Sequence, residues 1–358
     1  MTHLYRHDPK SALEAKHFAQ IIAHGPILFQ AARVLRERNI LQTVADAGTR
    51  GITLEAIAAA VHLSAYGTRV LMEAGLGMYL FTQDEDGRYF LAKTGQYMLN
   101  DALTRVNMNF VQDVCYRAMF HLEDAIEQGT PAGLTELGDW DTVYEGLSQL
   151  PDHIRQSWFA YDHFFSDSTF TEIVKRFYRD NPIRRLLDIG GNTGKWAALS
   201  VRHDPHVHIT LMDLPGQVDM ARERIKNMGL SERVDVYPAD ILDASTTFPT
   251  GYDAVWMSQF LDCFSEEQIV SILQRAQGCL NENGHIWILE AFWDKQRFET
   301  AAFCLQQLSL YFTAIANGNS QMYDSRVFKR CIDQAGLEVV EEVDGLGLCH
   351  TLLKCRVR

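Results

Sequence analysis

The sequence predicts an α/β fold, a mostly parallel sheet covered by helices on both faces, preceded by an α-helical module of winged-helix type. Three observations predict it. From Arg184 onward, short β-prone runs alternate with amphipathic stretches in a βαβαβ rhythm. Ahead of them, two capped helical stretches run into a hairpin signal. The 358 residues are 47% hydrophobic and 22% charged, a globular composition with room for two or three domains of roughly 100–200 residues each.

Taken in chain order, QAARVLRER (30–38) has helical spacing. Thr53 can cap a helix through Ala60, and Ser64 a second through about Ala74. LFTQDEDGRYFLA (80–92) holds two β-prone runs around Asp86-Gly87, a strong hairpin pair, and completes a winged helix-turn-helix over residues 1–100. Residues 101–180 read as a helical connector rich in aromatics, among them Tyr144, Trp158, Phe159 and Tyr161. Most of these belong in a core; a minority, with His163, can wall a flat apolar ligand site. The third domain, 181–358, opens with the strand RRLLDIG, followed by a glycine-rich turn and the helix KWAALSVRH. HITLMDL, VDVYPAD, YDAVWMSQF and GHIWILEAF are the next strands, with Asn283-Gly284 as the turn feeding the last of them. A helix over Asp324–Ala335 and two terminal strands, VVEEVDGL and GLCHTLLKCRV, predict a closing antiparallel pair at the sheet edge.

Charge and cysteine usage exclude several function classes. A net charge of −13 opposes phosphate-driven nucleic-acid binding and adhesion to an anionic membrane. A winged helix can bind DNA, but basic and acidic residues nearly balance over residues 1–100, and the second helix of the pair offers only Arg69. A dimerisation and substrate-lid module is the other reading. The start is polar, without an apolar leader, and no run approaches the roughly 20 apolar residues of a spanning helix. Seven cysteines, none at C-x-x-C spacing, suggest a reduced cytoplasmic protein without a disulfide frame or zinc ribbon. No metal is expected: His203, His206 and His208 lie in a helix-to-strand connection, remote from the strand carboxyl ends.

The chemistry concentrates at those carboxyl ends, where open α/β sheets bind ligands. Asp188, Gly190, Gly191 and Gly194 form a glycine-rich loop after the first strand. The glycines let a ligand approach the backbone closely beside a free helix N-terminus. Asp213 ends the second strand, where a carboxylate can take both hydroxyls of a ribose, and Asp240 ends the third, placed for an adenine amino group. A dinucleotide is the rival ligand, but its G-x-G-x-x-G fingerprint is not met. An acidic residue at the loop mouth suits a cationic nucleoside, S-adenosylmethionine, better than a pyrophosphate.

With these residues in hand, the chain resembles the small-molecule O-methyltransferases of the caffeate/acetylserotonin type and their bacterial relatives, over almost its whole length. The family's D-x-G-G-G-x-G loop matches LLDIGGNTG, with Asn192 in place of the third glycine. Its D-L-P matches Asp213-Leu214-Pro215, and its G-D-M/F-F matches Ala239-Asp240-Ile241-Leu242. Glu290 matches its post-strand glutamate. The resemblance implies a Rossmann-like class I methyltransferase domain, S-adenosylmethionine as cofactor, a homodimer built through the N-terminal domain, and a small aromatic or polyketide-like acceptor. It further implies cofactor contacts at Leu214, Ile241 and Ser258. The helix FCLQQLSLYF (303–312), through Phe303 and Gln307, and the aromatics around Tyr144 and Phe159 would then wall the acceptor.

One departure bears on mechanism. In the family's L-H-D/N-W-S-D-E segment the histidine is the general base; here that position is Asp262, with Phe264 at the tryptophan. An ordinary carboxyl titrates about six units below a phenol, so deprotonation would be uphill by roughly 8 kcal/mol. Asp262 can act with a raised pKa, a more acidic acceptor, or proton removal concerted with transfer. Alternatively it hydrogen-bonds a phenol and directs methylation to the adjacent ring carbon, or it is structural while alignment carries the reaction. Glu290 is its natural catalytic partner, and His163 a candidate substitute base. A cofactor-binding pseudo-enzyme and a winged-helix regulator remain as alternatives, since fold does not dictate function.

Overall fold

The computed structural model describes residues 5–179 and 182–358, without the side chains of residues 166–168. Two compact units divide between Val111 and Gln112. The helical stretch after residue 100 is therefore shared, with Ala102–Phe110 in the first unit and the residues from Gln112 on in the second.

In the first unit the sequence signals act locally. Thr53 accepts the Ala56 N–H and starts the helix Leu54–Val61; Ser64 accepts the Gly67 N–H and starts Ala65–Gly77. The wing is an antiparallel pair, Phe81–Gln83 with Tyr89–Leu91. Leu35, Ile40, Leu41, Ile57 and Met72 form the core beneath it. Helix Ala12–Ala23, opened by a Ser11/Glu14 capping box, buries none of its residues, although it carries Leu13, Phe18, Ile21 and Ile22.

The second unit is built on a seven-stranded sheet: β1 (Arg185–Ile189), β2 (His208–Asp213), β3 (Val234–Pro238), β4 (Tyr252–Ser258), β5 (Leu280–Ala291), β6 (Leu337–Leu346) and β7 (His350–Val357). Their spatial order is β3-β2-β1-β4-β5-β7-β6. The first five are parallel, and β7 runs antiparallel to both neighbours, as the closing pair predicted. Both faces are covered, and each strand splits its side chains between two cores with period two. On β4, Val255 and Met257 enter one core; Ala254 and Trp256 enter the other. The second holds Phe177 of the long helix Asp152–Arg179 and a stacked pair, Trp196 on Trp256, with centroids 4.0 Å apart.

One expectation is corrected. Asn283-Gly284 does not precede β5 but lies inside it, as a bulge between the pairs Leu280–Tyr252 and His285–Ala254. Asn283 takes a left-handed φ of +67°, which the dipeptide allows in a turn and a bulge alike. Local turn chemistry signals the kink; pairing with β4 decides that the strand continues through it.

Candidate active site

The order β3-β2-β1-β4 reverses direction between β1 and β4, and the loops leaving those two strands build the site. Asp188 sits near the end of β1, 2% exposed, and its Oδ2 has no hydrogen-bond partner. Burial, then the Asp213 carboxylate, pushes its pKa up to about 8. An orphan acceptor in so dry a place is costly unless a ligand supplies the donor. The backbone beside it is open to such a ligand. Gly190 has a φ of +73°, and a β-carbon there would strike the Phe260 ring. A β-carbon at Gly191 would lie 2.9 Å from Asp188 Oδ2 and 2.5 Å from Leu211. Asn192 takes φ +47°, a conformation that asparagine tolerates better than most residues, which explains how it stands where glycine is usual.

The Asn192 N–H donates to Asp213 Oδ2 (2.8 Å) and the Leu214 N–H to Oδ1 (2.7 Å). Burial raises Asp213 to about 6, and these two bonds hold it back from going higher. Gly194 precedes the helix Lys195–His203 as its left-handed cap. The cleft over this loop is lined by Asp162, His163, Asp188, Gly190, Asn192 and Ser258, among others. Ser258 Oγ is a second buried polar atom without a partner. These features fit S-adenosylmethionine: glycines that admit a backbone-hugging ligand, unsatisfied acceptors for its donors, and a strand-end carboxylate. Asp240 and Ile241 lie outside the cleft lining. Asp240 is exposed and accepts the Leu242 N–H (2.9 Å); Ile241 is buried in the core, so its loop offers backbone rather than side chain.

Asp262 lies on the single helical turn Leu261–Cys263 after β4, buried. Burial raises its pKa to about 7, Asp162 adds to the rise, and the Cys263 thiol, donating to Oδ1 at 3.5 Å, opposes it. Burial thus narrows the gap between this carboxyl and a phenol, which titrates at about 10. Glu290 Oε1 accepts the N–H groups of Phe260 (3.0 Å) and Leu261 (2.8 Å) and so fixes the turn that carries Asp262. Its other oxygen is buried without a partner, and burial with the nearby Asp262 pushes its pKa well up. Glu290 thus braces the turn from the end of β5. Tyr323 Oη donates to Phe264 O (2.5 Å) and Asn317 Nδ2 to Cys263 O, so the segment is held from a second side.

Around Asp262 the structure gathers phenols and thiols. The Tyr144 hydroxyl is buried beside Cys263, and burial raises it well above its ordinary value. Tyr311 accepts the Trp158 indole N–H (2.8 Å). Tyr161 is raised by burial, then by the neighbouring Cys304, Cys349, Cys115 and Asp262. Phe159 packs between Trp158 and His163, with centroids 5.1 and 5.5 Å away. His163 lines the cleft, its Nε2 3.8 Å from Asp162 Oδ2. Phe303 and Gln307 do not join this group. They are exposed, one turn apart on the outer face of helix Glu299–Tyr311; Ala302, Leu305 and Tyr311 form its inner face. Asp162 had no place among the expected site residues, its only signal being its position beside His163, whereas Tyr161 and Tyr311 lie in the aromatic stretch and the 303–312 helix expected to wall the acceptor.

Elsewhere, His350 is buried against Thr169 Oγ1 (3.2 Å) with a pKa lowered to about 4 by burial, a neutral interior histidine. Among the described residues no group of three or more His, Cys, Asp or Glu could hold a metal ion, and no helix is long and apolar enough to cross a membrane.

Residues 164–338 match the O-methyltransferase domain model, and residues 16–89 the dimerisation2-like domain. The L-tyrosine C(3)-methyltransferase of Streptomyces lavendulae is 24% identical over 94% of this chain and 90% of its own. The S-adenosylmethionine-dependent methyltransferase SibL superposes with a TM-score of 0.71 at 23% identity, covering 95% of this chain and 99% of that one. An O-methyltransferase of neocarzinostatin biosynthesis, solved with S-adenosylmethionine and 2-hydroxy-5-methyl naphthoic acid, gives 0.67 at 20% identity over 92% and 96%. With an O-methyltransferase domain behind a dimerisation2-like domain, and a cleft whose unsatisfied acceptors and glycines suit the cofactor, the chain carries the domain pair of S-adenosylmethionine-dependent methyltransferases.

Proposed function

We propose that the chain methylates a phenolic hydroxyl of a small aromatic or polyketide-like acceptor. The observation that carries this reading is a buried Asp262 raised to about 7, set among aromatic side chains. When bound, S-adenosylmethionine supplies an electrophilic methyl group. Asp188, Gly190, Gly191 and Gly194 hold its methionine part, Asp213 and Leu214 its ribose, Asp240 and Ile241 its adenine, with Ser258 as a further contact. Asp262 accepts the acceptor's hydroxyl proton, while Glu290 keeps its turn in place. Tyr144, Phe159 and His163, with Tyr161 and Tyr311, exclude water and align the ring.

A second reading is methylation at the ring carbon next to the phenol. It is favoured by the likeness to a tyrosine C(3)-methyltransferase, and the same aspartate can serve it. Calorimetric titration with S-adenosylhomocysteine tests the cofactor site: micromolar binding is expected, abolished in Asp213→Ala. Absence of binding to the wild type would remove the enzyme reading in favour of a scaffold or regulator. Mass spectrometry and NMR of the methylated product then separate oxygen from carbon.

Exposed Phe18, Ile21 and Ile22 of helix Ala12–Ala23, within the dimerisation2-like match, support a homodimer through the first unit. Seven free thiols suit a reducing cytoplasm. Gel filtration of a soluble cell extract should return the chain as a dimer. Elution at the monomer mass of 40.7 kDa would remove the dimer, and absence from that fraction the location.

A further inference from the structure

Residues 239–248, between β3 and β4, form an irregular loop, and irregular loops need partners for their carbonyl groups. One side chain provides three of them. Arg275, on helix Glu266–Gln277, donates from Nη1 to Ile241 O (2.6 Å) and from Nη2 to Thr246 O (2.6 Å) and Asp243 O (3.2 Å). Its guanidinium also stacks 4.2 Å over the ring of Phe248 at the far end of the same loop. The loop's own bonds are short-range: Asp240 Oδ1 accepts the Leu242 N–H, and Asp243 accepts from Ser245. They shape single turns; the loop is tied to the sheet at its start, where the Ala239 N–H donates to Asp213 O (2.8 Å), and near its end, where the Tyr237 hydroxyl of β3 donates to Thr247 O (2.8 Å), which leaves its middle to another partner. Arg275 therefore joins the middle of the loop to the helix behind it.

We infer that Arg275 is a positioning residue for the nucleoside end of the cofactor site: it sets the height and orientation of the Asp240-Ile241 backbone. The inference rests on the cofactor assignment proposed above. The geometry requires arginine. A planar fork can serve several carbonyls while its face lies on an aromatic ring, and a lysine ammonium cannot do both. Arg275 reaches neither Asp262 nor the aromatic group around it in any bond described, so its effect is confined to one end of the site.

The test compares the wild-type chain with Arg275→Lys and Arg275→Ala, using S-adenosylhomocysteine and adenosine as probes in calorimetry at 20 °C. Both ligands are expected to lose at least tenfold in affinity, by similar factors, because both present the same base. The acceptor KM, the kcat at saturating cofactor and the pH profile should stay within twofold. Folded variants that bind both ligands like the wild type overturn the inference, as does an equal loss in kcat, which would mark a general disturbance. If Arg275→Ala does not fold, Arg275→Lys decides alone. A wild type that binds neither probe removes the cofactor assignment and this inference with it; a binding wild type with unaffected variants removes only the inference.

Discussion

Asp262→Asn should lower kcat by at least a hundredfold and abolish an inflection near pH 7 in the wild-type rate profile. The magnitude follows from what a positioned base contributes, about 10²–10⁴. The pH follows from a carboxyl raised to about 7 by burial. The rate should climb as pH rises through 7, because only the ionised form accepts a proton. The same substitution should stabilise the protein above that pH. A carboxyl with a folded pKa above its unfolded value, near 3.8, loses stability as pH rises from about 4 to about 7, since folding then holds a charge in a dry place. Asparagine carries no such charge, so at pH 8 the variant should melt higher than the wild type while being far slower. If kcat and its profile are unchanged, Asp262 is structural and alignment alone carries the transfer.

Gly191→Val should remove S-adenosylhomocysteine binding by at least a hundredfold, equivalent to about 3 kcal/mol. A β-carbon there meets Leu211 at 2.5 Å and Asp188 Oδ2 at 2.9 Å, and β-branching adds two more atoms to the same space. Leu211 is fully buried on β2, and Asp188 belongs to the sheet, so neither can withdraw cheaply. The variant must shift the loop, and with it Asn192, whose N–H is tied to Asp213. Retained calorimetric affinity in a folded Gly191→Val would show that the cofactor does not lie on this loop. Comparison with Asp213→Ala then separates a blocked approach from a lost carboxylate.

The two variants probe parts of the site that were unequally legible. The glycine loop, Asp188 and Asp213 are readable because strand, tight turn and helix are local patterns, and an α/β sheet has one preferred edge for ligands. Asn192 in a glycine position is equally local. The hairpin, the caps at Thr53 and Ser64 and the closing antiparallel pair follow for the same reason.

Other assignments needed the packed chain. Helical spacing puts Phe303 and Gln307 on one face, but not which face turns inward; the inner face holds Ala302, Leu305 and Tyr311. Asp240 and Ile241 are adjacent, yet one is exposed and the other is core. Glu290 falls at a strand end in any reading, and only the return of the Phe260–Leu261 backbone to its Oε1 makes it a brace for that turn.

The sequence by itself determined the succession of strands and helices and the cofactor loop. Tertiary structure alone decided the surroundings of Asp262. Its pKa depends on burial and on Asp162, which arrives from a helix far away in the chain. Turns, caps and periodicity act over a few residues, whereas desolvation and charge proximity are properties of the packed interior and are written nowhere locally.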